Sequence, residues 1–188
     1  MDTKSLLVAA ALQVLEQQGE AGFSTRSVCA IADVTAPTLY HHFGSADGLL
    51  SAAITEAFAQ FLTSKKAEAL SVDPVMALRQ GWDNYVRFAA ERPRLYAAMV
   101  VRVLQGATIP AADAGRALLV ERIAAIDADG RLAMDVEAAA DLIWSSAHAA
   151  STLYVMARER QPDPVVITTL RERAVQSICT PDESEKPA

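Results

Sequence analysis

Long apolar runs, paired cysteines and surplus positive charge are all missing from this 188-residue chain. The longest apolar stretch near the N-terminus is LLVAAAL at 6–12, far short of the roughly 18 residues that suggest a membrane span. It follows Lys4 like the core of a signal peptide, but Gln13, Glu16, Gln17 and Gln18 continue it as an amphipathic helix and no small-x-small cleavage site follows. A cytoplasmic protein with no membrane partner is expected. Cys29 and Cys179 sit far apart in apolar helical patterns, without metal or disulfide spacing, and read as buried reduced thiols. No H-E-x-x-H, glycine-rich phosphate loop or serine-centred nucleophile elbow occurs. His41 and His42 are adjacent, so on a helix they point about 100° apart and do not readily share a metal ion. No catalytic residue, metal ligand or cofactor is expected, and the chain does not read as an enzyme.

Period-two alternation bounded by turns is also lacking, and Asp129-Gly130 joins two helical stretches rather than two strands. A hydrophobic fraction of 52% with 21% charged residues is globular, and the length suffices for a real core. Leu7, Ala10, Ala11, Val14 and Leu15 recur at helical spacing until Gly19, which predicts a first helix over 3–18. Ser24 can cap a second over 25–32, and Thr35 a short third with Ala36 and Pro37 in its first turn. A fourth follows Ser45 and carries one broad apolar stripe from Leu49 to Leu62, running out at Ser64-Lys65-Lys66. Prolines at 74, 93, 110, 162 and 164 then punctuate helices near 74–91, 94–104, 111–127, 136–159 and 164–179. The expected fold is all-α with about nine helices. The division expected is 1–48, a connecting helix over 49–66, a larger helical domain over 67–180 and a disordered tail over 181–188.

Helix two, a three-residue turn and a short helix opening on Pro37 have the lengths of a helix-turn-helix, whose second helix enters the DNA major groove. Val28, Val34, Leu39 and Phe43 can be buried together, leaving Ala36, Pro37, Thr38, Tyr40, His41 and His42 largely outside the core. Small groups, hydroxyls and imidazoles suit base edges, the thymine methyl and phosphates, and Thr35, at the head of the same helix, is counted with them.

The run STRSVCAIADVTAPTLYHHF followed by GSADGLL, together with LLVAAALQVLEQQG of the first helix, resembles the DNA-binding domain of the TetR (tetracycline-repressor) family. The resemblance covers about the first 65 residues, with P-R-L-Y and W-S-S-A-H-A-A as looser echoes beyond. It implies an N-terminal domain that binds double-stranded operator DNA as half of a homodimer, and a larger domain whose small-molecule ligand releases it. Carried over residue by residue, Thr25 would meet a phosphate and Arg26 a guanine, Ala36, Pro37 and Thr38 would face bases, Tyr40 and His42 would hold the backbone, and His41 would do either. Arg26 also has a plain reading as a solvated surface arginine. The chain departs from the family pattern at Asp33, where a turn glycine is usual, and at Ala46, where a lysine is common. Within residues 1–48, Lys4 and Arg26 stand against Asp2, Glu16, Glu20, Asp33 and Asp47, a formal −3 within an overall −6, where a DNA binder is usually basic.

Residues 74–160 hold Trp82, Tyr85, Phe88, Tyr96, Met99, Met134, Trp144, His148, Tyr154 and Met156 on helices otherwise rich in Ala, Leu and Val. Such side chains either fill a core or line an adaptable apolar cavity. The candidate ligand-binding set is Trp82, Tyr85, Tyr96, Met99, Trp144 and His148, for a small apolar effector. His148 is read equally as a ligand hydrogen-bonding group or as a packed histidine. The last two helices carry Leu142, Ile143, Ala147, Ala150, Leu153 and Tyr154, and Val165, Val166, Leu170, Ala174, Val175 and Ile178; they can form a four-helix bundle across a two-fold axis, which is how the family usually dimerises. The leading reading is a ligand-responsive transcriptional repressor. The alternative is a helical small-molecule-binding protein of the same fold with weak or lost DNA binding.

Overall fold

Helix α1 (Thr3–Gln18) starts at Asp2, whose Oδ1 accepts the Ser5 amide at 2.7 Å, and stops at Gly19 with φ +69°. A single 3-10 turn, Glu20–Gly22, leads to Ser24, which shares a reciprocal capping box with Ser27 at the head of α2 (Thr25–Ala32). The turn after α2 passes through Asp33 at φ 52° and ψ 47°, a left-handed conformation that aspartate enters more readily than most residues. Helix α3 (Ala36–Phe43) follows and ends at Gly44, φ +72°. Ser45 Oγ then accepts the Gly48 amide at 2.9 Å to open α4 (Ala46–Ala67). The computed structural model describes residues 2–67, 71–157 and 161–181. Residues 182–188, most of the tail expected to be disordered, lie outside the described residues.

Five more helices follow: α5 (Pro74–Glu91), α6 (Pro93–Leu104), α7 (Pro110–Ala128), α8 (Val136–Met156) and α9 (Pro164–Ile178). No strand forms among the described residues; one isolated antiparallel bridge joins Leu132 to Cys179. Most boundaries fall within a residue or two of those expected, because a proline or a capping aspartate sets them. Asp73, Asp135 and Asp163 each accept amides at the heads of α5, α8 and α9. Helix α8 is the exception: it stops at Met156 rather than 159, since Ala157 turns to extended backbone at ψ 124°.

Thr35 differs from expectation. Its hydroxyl caps no amide of α3 and instead lies 3.0 Å from the Thr38 hydroxyl. Pro37 has no N–H to offer, and the Thr38 amide is already bonded to the Thr35 carbonyl at 3.1 Å. The two cysteines are free thiols but half-buried rather than buried, and burial pushes the Cys179 thiol up from its ordinary range.

Two compact units form by contact. The first holds residues 1–64 and 91–112; the second holds 65–90 and 113–188. In the first, α1 buries Leu7, Ala11, Val14 and Leu15 completely, packing on α2, α3 and α6. Arg92 pairs with Glu16, Arg94 donates to the Gln17 carbonyl, and Arg102 pairs with Asp47, so α6 is fastened to the end of α1 and the start of α4. In the second unit α8 packs on α9. Arg79 reaches Glu172 at 3.0 Å and Arg171 pairs with Asp83, which fastens α9 to α5.

Two glycines should respond to alanine with opposite signs. A Cβ on Gly48 would stand 2.2 Å from the Phe43 carbonyl oxygen, whereas one on Gly115 meets nothing within 4 Å. Gly48→Ala is expected to cost about 1–3 kcal/mol through forced displacement, and Gly115→Ala, inside α7, to gain up to about 1 kcal/mol. Urea denaturation of both variants checks the pair; a gain at position 48 would mean α4 can shift freely against the end of α3.

Candidate functional site

Burial divides α3 along its length. Leu39 is 0% exposed and Tyr40 is 47% exposed, and Val28 of α2 is buried while Val34 and Phe43 are half-buried. Pro37, His41 and His42 are exposed, and Ala36 and Thr38 are half-exposed. At the head of α2, Arg26 is exposed and Thr25 half-buried. The Thr25 hydroxyl lies 3.4 Å from the Tyr40 hydroxyl, so the start of α2 and the outer face of α3 meet in one surface. The His41 and His42 rings lie edge to face at 5.3 Å. Thr25, Arg26, Thr35, Ala36, Pro37, Thr38, Tyr40, His41 and His42 are thus brought together within one unit.

That surface is nearly free of formal charge: APTLYHHF holds no Lys, Arg, Asp or Glu. Adding α6 to the first unit brings Arg92, Arg94 and Arg102 beside Lys4 and Arg26. Against them stand Asp2, Glu16, Glu20, Asp33, Asp47, Glu56 and Glu91, a formal −2 for the unit. Helix α6 does not make the surface basic, because its arginines are engaged with α1 and Asp47. The groups this surface offers are hydroxyls, imidazoles, the Arg26 guanidinium and the unpaired amides that every helix start leaves.

In the second unit α5, α7 and α8 enclose a small cavity. Leu78, Gly81, Trp82 and Tyr85 line it from α5, Gly115, Leu118, Leu119 and Arg122 from α7, and Ile143, Trp144 and Ala147 from α8. The space is about 30 Å³ and partly open to solvent. Trp82 Nε1 donates to Ser146 Oγ at 2.9 Å, and that hydroxyl donates to the Ile143 carbonyl at 2.8 Å. The Tyr85 hydroxyl and His148 Nε2 are 3.1 Å apart, and the Trp144 and His148 rings stack edge to face at 4.7 Å. Of the expected ligand set, Trp82, Tyr85 and Trp144 line this cavity, and His148 stands behind them on Tyr85. Tyr96 and Met99 do not join them: both are buried in the first unit, on α6. Gly115, Leu118, Leu119 and Arg122 fall at i, i+3, i+4 and i+7, which places the arginine on the apolar stripe of α7.

Leu39→Ala is expected to lower stability by about 2–5 kcal/mol. Tyr40→Ala, losing one 3.4 Å hydroxyl contact, should leave stability nearly unchanged and abolish sequence-specific DNA binding; equal destabilisation by both would contradict the division of α3 into two faces. His148 is governed by burial rather than by a neighbouring carboxylate. Burial holds its pKa below the ordinary 6.5, so the unfolded chain binds the proton more tightly and the neutral ring's contribution is complete above pH 6.5. Stability should fall as the pH drops from there through the folded-state value, and that acid loss should vanish in His148→Gln. Identical melting curves against pH for the two proteins would remove His148 as the cause.

Residues 7–53 match the family described as bacterial regulatory proteins, tetR family. A TetR-family transcriptional regulator from Pectobacterium atrosepticum is 26% identical, with a TM-score of 0.66 over 93% of this chain and 89% of that one. A protein of unknown function from Rhodococcus sp. RHA1 superposes with a TM-score of 0.80 at 21% identity, covering 96% and 97%. A TetR-family regulator from Haemophilus influenzae gives 0.65 at 20% identity, covering 95% and 97%. No curated protein matches the chain. Residues 7–53, with a helix-turn-helix built on α2 and α3, thus carry the pattern of the tetR family of bacterial regulatory proteins, and the chain as a whole has the all-helical fold of TetR-family regulators of known structure.

Proposed function

We propose that the protein is a ligand-responsive repressor that binds a palindromic operator as a homodimer in the cytoplasm and is released by a small, largely apolar effector. The observation that carries the reading is the outer face of α3, where Pro37, Thr38, Tyr40, His41 and His42 stand beside Thr25 and Arg26 with no acidic side chain among them. In this reading Ala36, Pro37 and Thr38 meet base edges, while Thr25, Thr35, Tyr40 and His42 meet the backbone. His41 takes either role, and Arg26 reaches a guanine.

The dimer is assigned to α8 and α9. Leu153, Met156, Val165 and Val166 are exposed apolar residues there, Met156 and Val165 at 71% and 70%, and they suit a second copy of the chain across a two-fold axis. The effector is assigned to the second unit. The chain passes between the units within α4, at the α5–α6 junction and near the start of α7, so a ligand that rearranges α5 or α7 can act on the placement of α3. It does so only as far as it prefers one arrangement, and a tenfold loss of DNA affinity needs about 1.4 kcal/mol of such preference.

A second reading, the same fold with weak DNA affinity, draws on the acidic first unit and on Ala46. Restoring a lysine there separates the two. Ala46→Lys should tighten binding to all DNA and steepen the dependence of log K on log salt by about one unit, without changing which operator is preferred. Light scattering should give twice the 20.1 kDa of one chain. A monomer at micromolar concentration, or no retention of DNA flanking the protein's own gene in a gel shift, favours the second reading.

A further inference from the structure

The outer face of α3 carries two groups whose charge a proton decides. His41 and His42 are both exposed in the last turn of the helix, their rings edge to face at 5.3 Å. Among the described residues neither imidazole has a hydrogen bond or an ion pair, and the remaining ring contact is His42 on Phe43 at 6.3 Å. Leu39 points inward, and at about 100° per residue His41 falls nearly opposite it, one turn beyond Pro37. His42 falls one turn beyond Thr38, on the flank away from Tyr40. The pair therefore spans the crest of the face and one of its edges.

Charged and titratable groups around the pair are few. Helices α1 and α2 pack on α3; α1 brings Lys4 and Glu16, and α2 brings Arg26 and Cys29. The turn before α3 brings Asp33, and α4 opens with Asp47. On α3 itself the Tyr40 hydroxyl lies 3.4 Å from that of Thr25. Glu16 is held by Arg92 and Asp47 by Arg102, and no carboxylate is paired with either imidazole. A carboxylate beside a histidine would favour the charged ring before DNA arrived; here that role is left to the partner.

Histidine is the side chain whose charge changes between pH 5 and 8. An anion within about 4–6 Å favours the charged ring, and duplex DNA presents one negative charge per roughly 1.7 Å of its axis. The last turn of a helix also favours a cation. Two positive rings about 5 Å apart repel each other, so one proton belongs to the pair rather than one to each ring.

We infer that the His41–His42 pair takes up one proton per subunit when the outer face of α3 meets DNA phosphate, so that acid strengthens operator binding. The inference rests on the reading that this face meets DNA, and it adds a proton as a participant in the complex. A group that holds its proton more tightly on DNA than off it contributes affinity that is complete at low pH and is lost as the pH rises through the bound-state value. His148, the chain's one other histidine, acts in the opposite sense: burial disfavours its charged form, so acid weakens the fold there and does not mimic the effect.

The test is fluorescence anisotropy of the full chain on DNA flanking the protein's own gene, near pH 6, 7 and 8 and across a range of salt at each. Operator affinity is expected to rise about tenfold or more from pH 8 to pH 6, each proton taken up contributing at most about tenfold per pH unit. The slope of log K against log salt should steepen by about two for a dimer over the same range. His41→Gln combined with His42→Gln should remove both dependences, whereas His148→Gln should keep both. If the paired variant binds too weakly to be measured, calorimetry of the native chain near pH 7 in two buffers of different ionisation enthalpy counts the protons directly; about one to two per dimer are expected, and none overturns the inference. An operator affinity and salt slope that ignore pH, or a pH dependence that survives the paired substitution or vanishes in His148→Gln, overturns it as well. Those results leave the DNA-facing reading of α3 in place so long as the operator is preferred over random DNA. Absence of that preference at every pH removes the reading and the inference together.

Discussion

An eight-residue helix has no appreciable stability of its own in water, and α3, which carries the groups proposed to face DNA, is eight residues long. It exists because Leu39 is fully buried and because α1 provides a common surface for α2, α3 and α6. Every functional statement about Tyr40, His41 or His42 therefore depends on the residue beneath them. The junction with α4 imposes the same constraint from the other end, where Gly48 passes so close to the Phe43 carbonyl that a methyl group does not fit. Burial and close approach together hold a polar face in a fixed orientation without spending any of its polar groups on the core.

Helix α6 changes the meaning of the acidic N-terminal segment. Its two arginines and Arg92, the residue at its N-cap, answer the Gln17 carbonyl, Asp47 and Glu16, groups at the far end of α1 and the start of α4. They fasten the helical framework, and the surface of α3 remains almost uncharged. A regulator built this way gains little from non-specific attraction to DNA, because that attraction comes from neutralised phosphates. On the proposed reading its affinity comes from shape, hydroxyls and base-edge contacts.

The first unit is largely legible in the sequence because its boundaries are set by local devices. Gly19, Ser24, Pro37 and Gly44 act within a turn of where they stand, and Asp33 does in the left-handed region what a glycine does elsewhere. Thr35 breaks the pattern for an equally local reason, since the proline two residues on removes one amide it could have capped. The membership of α6 is not legible: Arg92 and Glu16 are 76 residues apart in the chain, and no periodicity encodes which arginine meets which carboxylate. Tyr96 and Met99 resemble the aromatic and methionine residues of the second unit in composition but lie in the first, and composition does not say across which helix a buried side chain packs. Arg122 is the converse, a charge standing at a stripe position of α7, where the helical period carries the signal.

The central claim, that the outer face of α3 reads DNA with little help from charge, is tested most directly by the salt dependence of operator binding. Fluorescence anisotropy on DNA flanking the protein's own gene, taken across a range of salt concentrations, gives the slope of log K against log salt. With Arg26 and at most Lys4 available in each subunit, the account predicts clear preference for that DNA over random sequence and a shallow slope, about −2 to −4 for a dimer. A slope near −10, or equal affinity for random DNA, would contradict it.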